Sequence, residues 1–193
     1  MTARPSARLT TAFLRFARAQ RGAAAVEFGL IGMLAMMMLF GILELGLVLL
    51  AVVTVENATE HVSRRIRTGD FQTTTANTKA AFKTEVCNAM GWLKSSCAEN
   101  LFVDVRTYND FAALAGSAPQ PADTFDPETT CWTPGAPTDI VLVRVYYKWR
   151  LMTPLLGQAF ETMGRGSGMR LMSMTTAFRN EPYSDDPPVR ARC

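Results

Sequence analysis

The sequence predicts an α+β protein: a long N-terminal transmembrane helix, then a domain made of a small helix and a three-stranded antiparallel sheet. Three observations carry this. Residues 28–55 form an apolar run whose only ionisable group is Glu44. Proline is absent between Pro5 and Pro119, and nine of the ten prolines fall in the last 75 residues, so the first part is built to be helical. Stretches of alternating apolar and polar residues occur only after that first part.

The long helix is expected from about Ala23, through the membrane, to near Thr68, with Gly69-Asp70 as its stop. Its apolar run of 28 residues would measure about 42 Å at 1.5 Å per residue. That exceeds a hydrocarbon core of roughly 30 Å, so the run at 28–55 can span with tilt or overhang. Core helices of soluble proteins rarely stay apolar on every face for so long. Gly29, Gly32, Gly41 and Gly46 thin the helix, as small residues do where helices approach closely in lipid. Two acids interrupt the pattern, Glu27 near the start and Glu44 about 25 Å into the run. Insertion scales put Asp at mid-membrane at roughly 2.5–3.5 kcal/mol, so both carboxylates should be neutral or paired.

Charge is unevenly placed. The formal net charge is +3, yet residues 1–22 hold Arg4, Arg8, Arg15, Arg18 and Arg21 and no acid, leaving 15 basic against 17 acidic residues in the remainder. The basic pI of 8.8 therefore belongs largely to the N-terminus and gives no warrant for a nucleic-acid surface. Five arginines before the run, against Arg64, Arg65 and Arg67 soon after it, favour a cytoplasmic N-terminus.

Beyond the long helix, a second helix is expected from about Thr75 to Lys94. Phe82, Val86, Met90, Leu93 and Cys97 recur at helical spacing, which is one face packing on a core. Strands follow at Phe102–Tyr108 and in IVLVRVYYKW (140–149), where Val141, Val143, Val145, Tyr147 and Trp149 share one side and Arg144 and Lys148 the other. This reads as a half-buried strand. MRLMSMTTAF (169–178) is the third, separated by Pro154 and the loop GRGSG. Residues 115–138, rich in Pro, Ala and Thr, form a long loop.

All four cysteines, Cys87, Cys97, Cys131 and Cys193, lie beyond the span. An even set in a small exported domain reads as two disulfides, although four cysteines allow three pairings. Cys87 with Cys97 would close a helix end onto its following turn, and Cys131 with Cys193 would pin the Pro-rich loop to the C-terminal tail; this is the pairing expected. No short CxxC spacing suggests zinc, and no metal or other cofactor is expected. His61, the only histidine, sits just past the apolar run beside Arg64 and Arg65, as a solvated side chain would. There is no GxSxG, HExxH or Gly-Lys-Ser/Thr phosphate loop, and Asp185-Asp186 lies in a Pro-rich tail. No catalytic residue is assigned, and an enzyme is not expected.

The N-terminus carries a recognisable pattern. An Arg-rich, acid-free leader ends in Gly22 and is followed by AAAVEF and the apolar helix, which resembles a type IV prepilin. The resemblance implies cleavage between Gly22 and Ala23 by a prepilin peptidase, with Glu27 as the fifth residue of the mature chain. Phe28 completes the Glu-Phe pair typical of the Flp (Tad) branch. RGAAAVEFGLI followed by FGILELG is further similar to the TadE-like minor pilins or pseudopilins, in which a second glutamate stands where Glu44 stands here. VRVYYKWRLMTPLLG and MRLMSMTTAFRNEPY are more loosely similar to that family's closing strands.

On this resemblance residues 1–22 are a cleaved leader, 23–68 the N-terminal helix with the span at 28–55, and 69–193 an exported domain. The chain would sit in a bacterial inner membrane, N-terminus cytoplasmic and C-terminal domain periplasmic, and take part in assembling an adhesive pilus. Its partners would be other pilus subunits, minor pilins, the prepilin peptidase and the membrane, and not nucleic acid. Glu27 would pair with the ammonium freed at Ala23 of a neighbouring subunit; Glu44, past mid-depth, would make helix contacts with a partner one chain does not reveal. The rival reading is a single-span anchored protein whose exported domain binds a ligand or partner, with residues 1–22 retained.

Overall fold

The computed structural model of the chain describes residues 22–74 and 77–183. Helix α1, Ala23–Arg67, runs without a break for 45 residues, as expected of a segment with no proline. By its internal contacts the chain divides between Leu43 and Glu44, inside this helix. In the first unit α1 is apolar all round, and its large side chains are exposed: Phe28, Ile31, Leu34 and Met38 are all more than half accessible. That is one helix long and apolar enough to cross a membrane.

In the second unit α1 becomes one-sided. Val48, Ala51, Val55, Ala58, Val62 and Ile66 are buried at spacings of three and four, while Glu56, Glu60, His61 and Arg64 are exposed. The buried stripe joins a single core with residues of the sheet, among them Val103, Val105, Val143, Val145, Trp149, Met172 and Met174. The sheet has the order β1-β2-β3, with β1 at Leu101–Tyr108, β2 at Ile140–Arg150 and β3 at Met169–Arg179. Both pairings are antiparallel, Val103 opposite Val145 and Val143 opposite Thr176.

Between α1 and the sheet lie α2 (Asp70–Thr73), α3 (Lys79–Ala89), a 3-10 turn at Gly91–Leu93 and α4 (Lys94–Asn100). Thr78 caps α3 by accepting from the Ala81 amide at 3.1 Å. The single helix expected over 75–94 is therefore interrupted: Gly91 adopts φ +55, a left-handed conformation that ends the first helix and starts a second. The stripe survives the break, with Phe82, Val86, Met90, Leu93 and Cys97 all buried in the core.

A second difference concerns β2, which is not half-buried. Its far face is also covered, with Leu142, Arg144 and Tyr146 each less than a tenth exposed. The cover is the Pro-rich segment, which includes α5 (Phe111–Ala115) and a 3-10 turn at Pro127–Thr129. Its backbone has few regular partners, so β2 side chains serve instead. Arg144 donates to the carbonyl of Ala118 at 3.0 Å and to that of Ser117, and the Gln120 amide donates to the Tyr146 hydroxyl at 3.1 Å. Phe125 packs on Tyr146 and Phe102, and the Lys148 ammonium lies 4.7 Å above the Phe102 ring. Residues 131–133 then run beside β1, the Val105 amide donating to the Cys131 carbonyl and the Thr133 amide to the Val105 carbonyl, both at 2.9 Å. A further helix, α6 (Pro154–Phe160), stands between β2 and β3 where the sequence suggested only a connection.

The C-terminal end of α1 is closed by the far end of the described chain. The Glu181 amide donates to the Arg67 carbonyl at 2.8 Å, and the side chains of Arg67 and Glu181 form an ion pair. Burial, with the nearby Asp139 carboxylate, pushes the Tyr183 phenol above its usual range. Gly69 has φ +81, and a Cβ there would lie 2.2 Å from the Tyr183 ring. Gly69→Ala should therefore lower stability by at least about 1–2 kcal/mol from the backbone conformation alone, and by more from the clash. Adding Tyr183→Ala should relieve the second part and not the first. Thermal unfolding of the full-length single and double variants checks this; equal losses in both would mean that the ring and the glycine do not compete for space.

Candidate functional site

Four of the candidate site residues, Ala23, Glu27, Phe28 and Glu44, lie on α1. Gly22 immediately precedes it, Ala23 is its first residue, and Glu27 and Phe28 lie in its second turn, all exposed. Among the described residues nothing is bonded to the Glu27 side chain, so this acid is presented outward. Glu44 is different. It is only 3 % exposed, and its two carboxylate oxygens accept the backbone amides of Met152 at 2.6 Å and Thr153 at 2.8 Å.

The local sequence explains why two amides are available there. β2 ends at Arg150, and Pro154 starts α6 with a residue that has no amide hydrogen. Thr153 is the N-cap of α6, but its own side chain makes no capping bond. Met152 and Thr153 are thus left with donors facing away from both elements, and Glu44 takes one on each oxygen. Charge-assisted bonds of this kind are about twice as strong as neutral ones, and the anion also stands near the positive end of a helix. Glu44 therefore fastens α1 to the connection between β2 and β3 within its own chain.

The cysteines are placed by the second unit. Cys87 on α3 and Cys97 on α4 are joined by a disulfide, their Cα atoms 5.5 Å apart, which holds the two helices together across the Gly91 break. No cysteine among the described residues is free. Cys131 stands beside β1, its amide donating to the buried Asp104 carboxylate at 2.7 Å; Cys193 lies outside the described residues, as do Asp185 and Asp186. A groove of about 440 Å³ borders Trp92, Tyr147, Trp149, Arg150 and Met152. His61 lies elsewhere, exposed on α1.

A family model described as TadE-like protein matches the chain from Gly22 to Arg64. The similarity is confined to these residues. The TadE-like segment takes in Gly22, Ala23, Glu27, Phe28 and Glu44, and it crosses the boundary between the two units. The sheet and the Cys87–Cys97 disulfide fall outside it. No curated protein and no solved structure matches the chain.

Sequence reasoning singled out Glu44 and missed what it holds, because backbone amides carry no side-chain signature. The only trace was the Thr153-Pro154 pair, an N-cap followed by proline. Glu44→Leu should leave the amides of Met152 and Thr153 without acceptors, at about 1–3 kcal/mol each. Their hydrogen exchange should then accelerate by about tenfold or more. Glu44→Gln keeps one acceptor and turns an NH2 group towards the other amide, so it should lose roughly half as much. Unchanged protection at both amides in Glu44→Leu would show that the carboxylate does not hold them.

Proposed function

We propose that the chain is a structural component of a Tad-type pilus assembly system, a TadE-like minor pilin or pseudopilin that acts by packing and charge pairing rather than by catalysis. The observation that carries this is the TadE-like match, which begins at Gly22 and contains both acids. The leader at 1–22 is cut between Gly22 and Ala23 by a prepilin peptidase, leaving α1 as anchor. The N-terminus lies in the cytoplasm and the α+β unit in the periplasm, an orientation supported by the five leader arginines.

Glu27 is the recruiting acid. Its exposure on an otherwise apolar stretch of α1 leaves it available to the ammonium of a neighbouring subunit's freed Ala23. In a low dielectric each charge needs the other, and removing one partner of a buried pair typically costs about 3–5 kcal/mol. Glu44 does not share this role, since its oxygens already serve Met152 and Thr153. It keeps the α+β unit attached to the helix that is recruited.

Processing and assembly are separately testable. Mass spectrometry of the membrane-extracted protein should find Ala23 as the first residue, and a bulky substitution at Gly22 should preserve the leader. Glu27→Leu should still insert and still be cut, because neither step needs the acid, yet it should no longer co-purify with other pilus subunits. An intact leader on protein that supports piliation, or wild-type co-purification of Glu27→Leu, would overturn the reading.

A further inference from the structure

The bond between Glu44 and the β2–β3 connection sets a limit on how deep α1 can enter a membrane. Wherever Glu44 goes, Met152 and Thr153 go with it, and they bring non-helical backbone whose polar groups cannot face hydrocarbon. A span at 28–55 would draw this connection into the bilayer. A span at 23–43 would not, and its 21 residues measure about 31 Å, close to the roughly 30 Å of a hydrocarbon core. Glu44 then stands at the end of the core, and Leu45 and Leu47, which are also exposed, fall in the interfacial layer of roughly 5–8 Å that follows.

The connection held at that level has the composition of a surface that meets headgroups. Met152 is 68 % exposed, and Arg150 and Arg165 are exposed with no ion pair among the described residues. The one acid between Arg150 and Met169 is Glu161, and its oxygens are engaged by the loop backbone, accepting the amides of Gly166 at 2.7 Å and Gly168 at 3.1 Å. Arg170 extends the basic character at the start of β3, one of its nitrogens donating to the Phe160 carbonyl. Cations with an exposed thioether, at the mouth of an apolar span, match an anionic bilayer surface.

We propose that the connection between β2 and β3 seats on the headgroup layer of an anionic membrane, with Glu44 fixing its level at the end of a span that runs from Ala23 to Leu43. This rests on the membrane-spanning part of the functional reading and not on pilus assembly, so its test needs no pilus.

The full-length protein is reconstituted into vesicles of phosphatidylcholine alone or mixed with phosphatidylglycerol, and carries a nitroxide at Met152→Cys or, as a distal reference, at the exposed Ala177→Cys on β3. With phosphatidylglycerol the label at 152 should be several-fold less accessible to an aqueous nickel reagent than the label at 177, and more accessible to oxygen. Arg150→Glu with Arg165→Glu should abolish that difference while the helix stays resistant to alkaline extraction. A label at 152 as accessible to nickel as that at 177 overturns the docking. A label buried at core depth overturns the assigned level, and protection that is the same without phosphatidylglycerol or with both arginines reversed overturns the role of charge. Hydrogen exchange over 151–168 in the unlabelled wild-type protein, slower with phosphatidylglycerol than without, gives the same answer independently of any variant; no change there counts against the proposal.

Discussion

One unbroken helix has two halves of different character, and the structure turns on where the first gives way to the second. Before Glu44, α1 is apolar on nearly every side; after it, a stripe from Val48 to Ile66 is buried and the opposite side carries acids, a histidine and arginines. A helix that packs on a sheet needs one apolar face, whereas a helix in lipid needs all of them. Glu44 sits at the change. Its carboxylate would be costly in hydrocarbon and is well served by two amides of the same chain, so the residue that looks most foreign to the apolar run anchors the remainder of the molecule.

The remainder depends on covering the sheet from both sides. α1 and the α3–α4 pair cover one face of β2, and the irregular segment before β2 covers the other. Such a segment has many backbone groups and little secondary structure with which to satisfy them. The fold answers with Arg144, Tyr146 and Asp104, buried polar side chains aimed at that backbone or beside it. The Cys87–Cys97 bond plays the matching part on the first face, bridging the interruption at Gly91.

Most of the architecture was legible, and for identifiable reasons. A run without proline that stops at Gly69-Asp70 locates α1 to within a residue of its C-terminus, and the alternation in 140–149 and 169–178 locates two strands to within one residue. The helical spacing from Phe82 to Cys97 marks a core face, and these residues lie in the core. What escaped depends on tertiary context. Gly91 is tolerable in a helix until a neighbouring disulfide favours a turn, and Arg144 reads as solvent-facing until a loop with unpaired carbonyls lies over it. The sequence assigns Glu44 to helix contacts and leaves its partner open, because a one-dimensional pattern cannot foresee an amide more than a hundred residues away.

The closure of α1 by Glu181 and Tyr183 bears on how the α+β unit carries load. From Glu44 to Arg67 the helix is held at both extremes, by Met152 and Thr153 at one end and by the Glu181 amide at the other. These points are about 35 Å apart along the axis, and between them lies the buried stripe. Tension along α1 between these points therefore cannot peel the helix from the sheet one contact at a time. It is borne in shear by both clasps and the packed face together, the geometry in which a few hydrogen bonds resist force best.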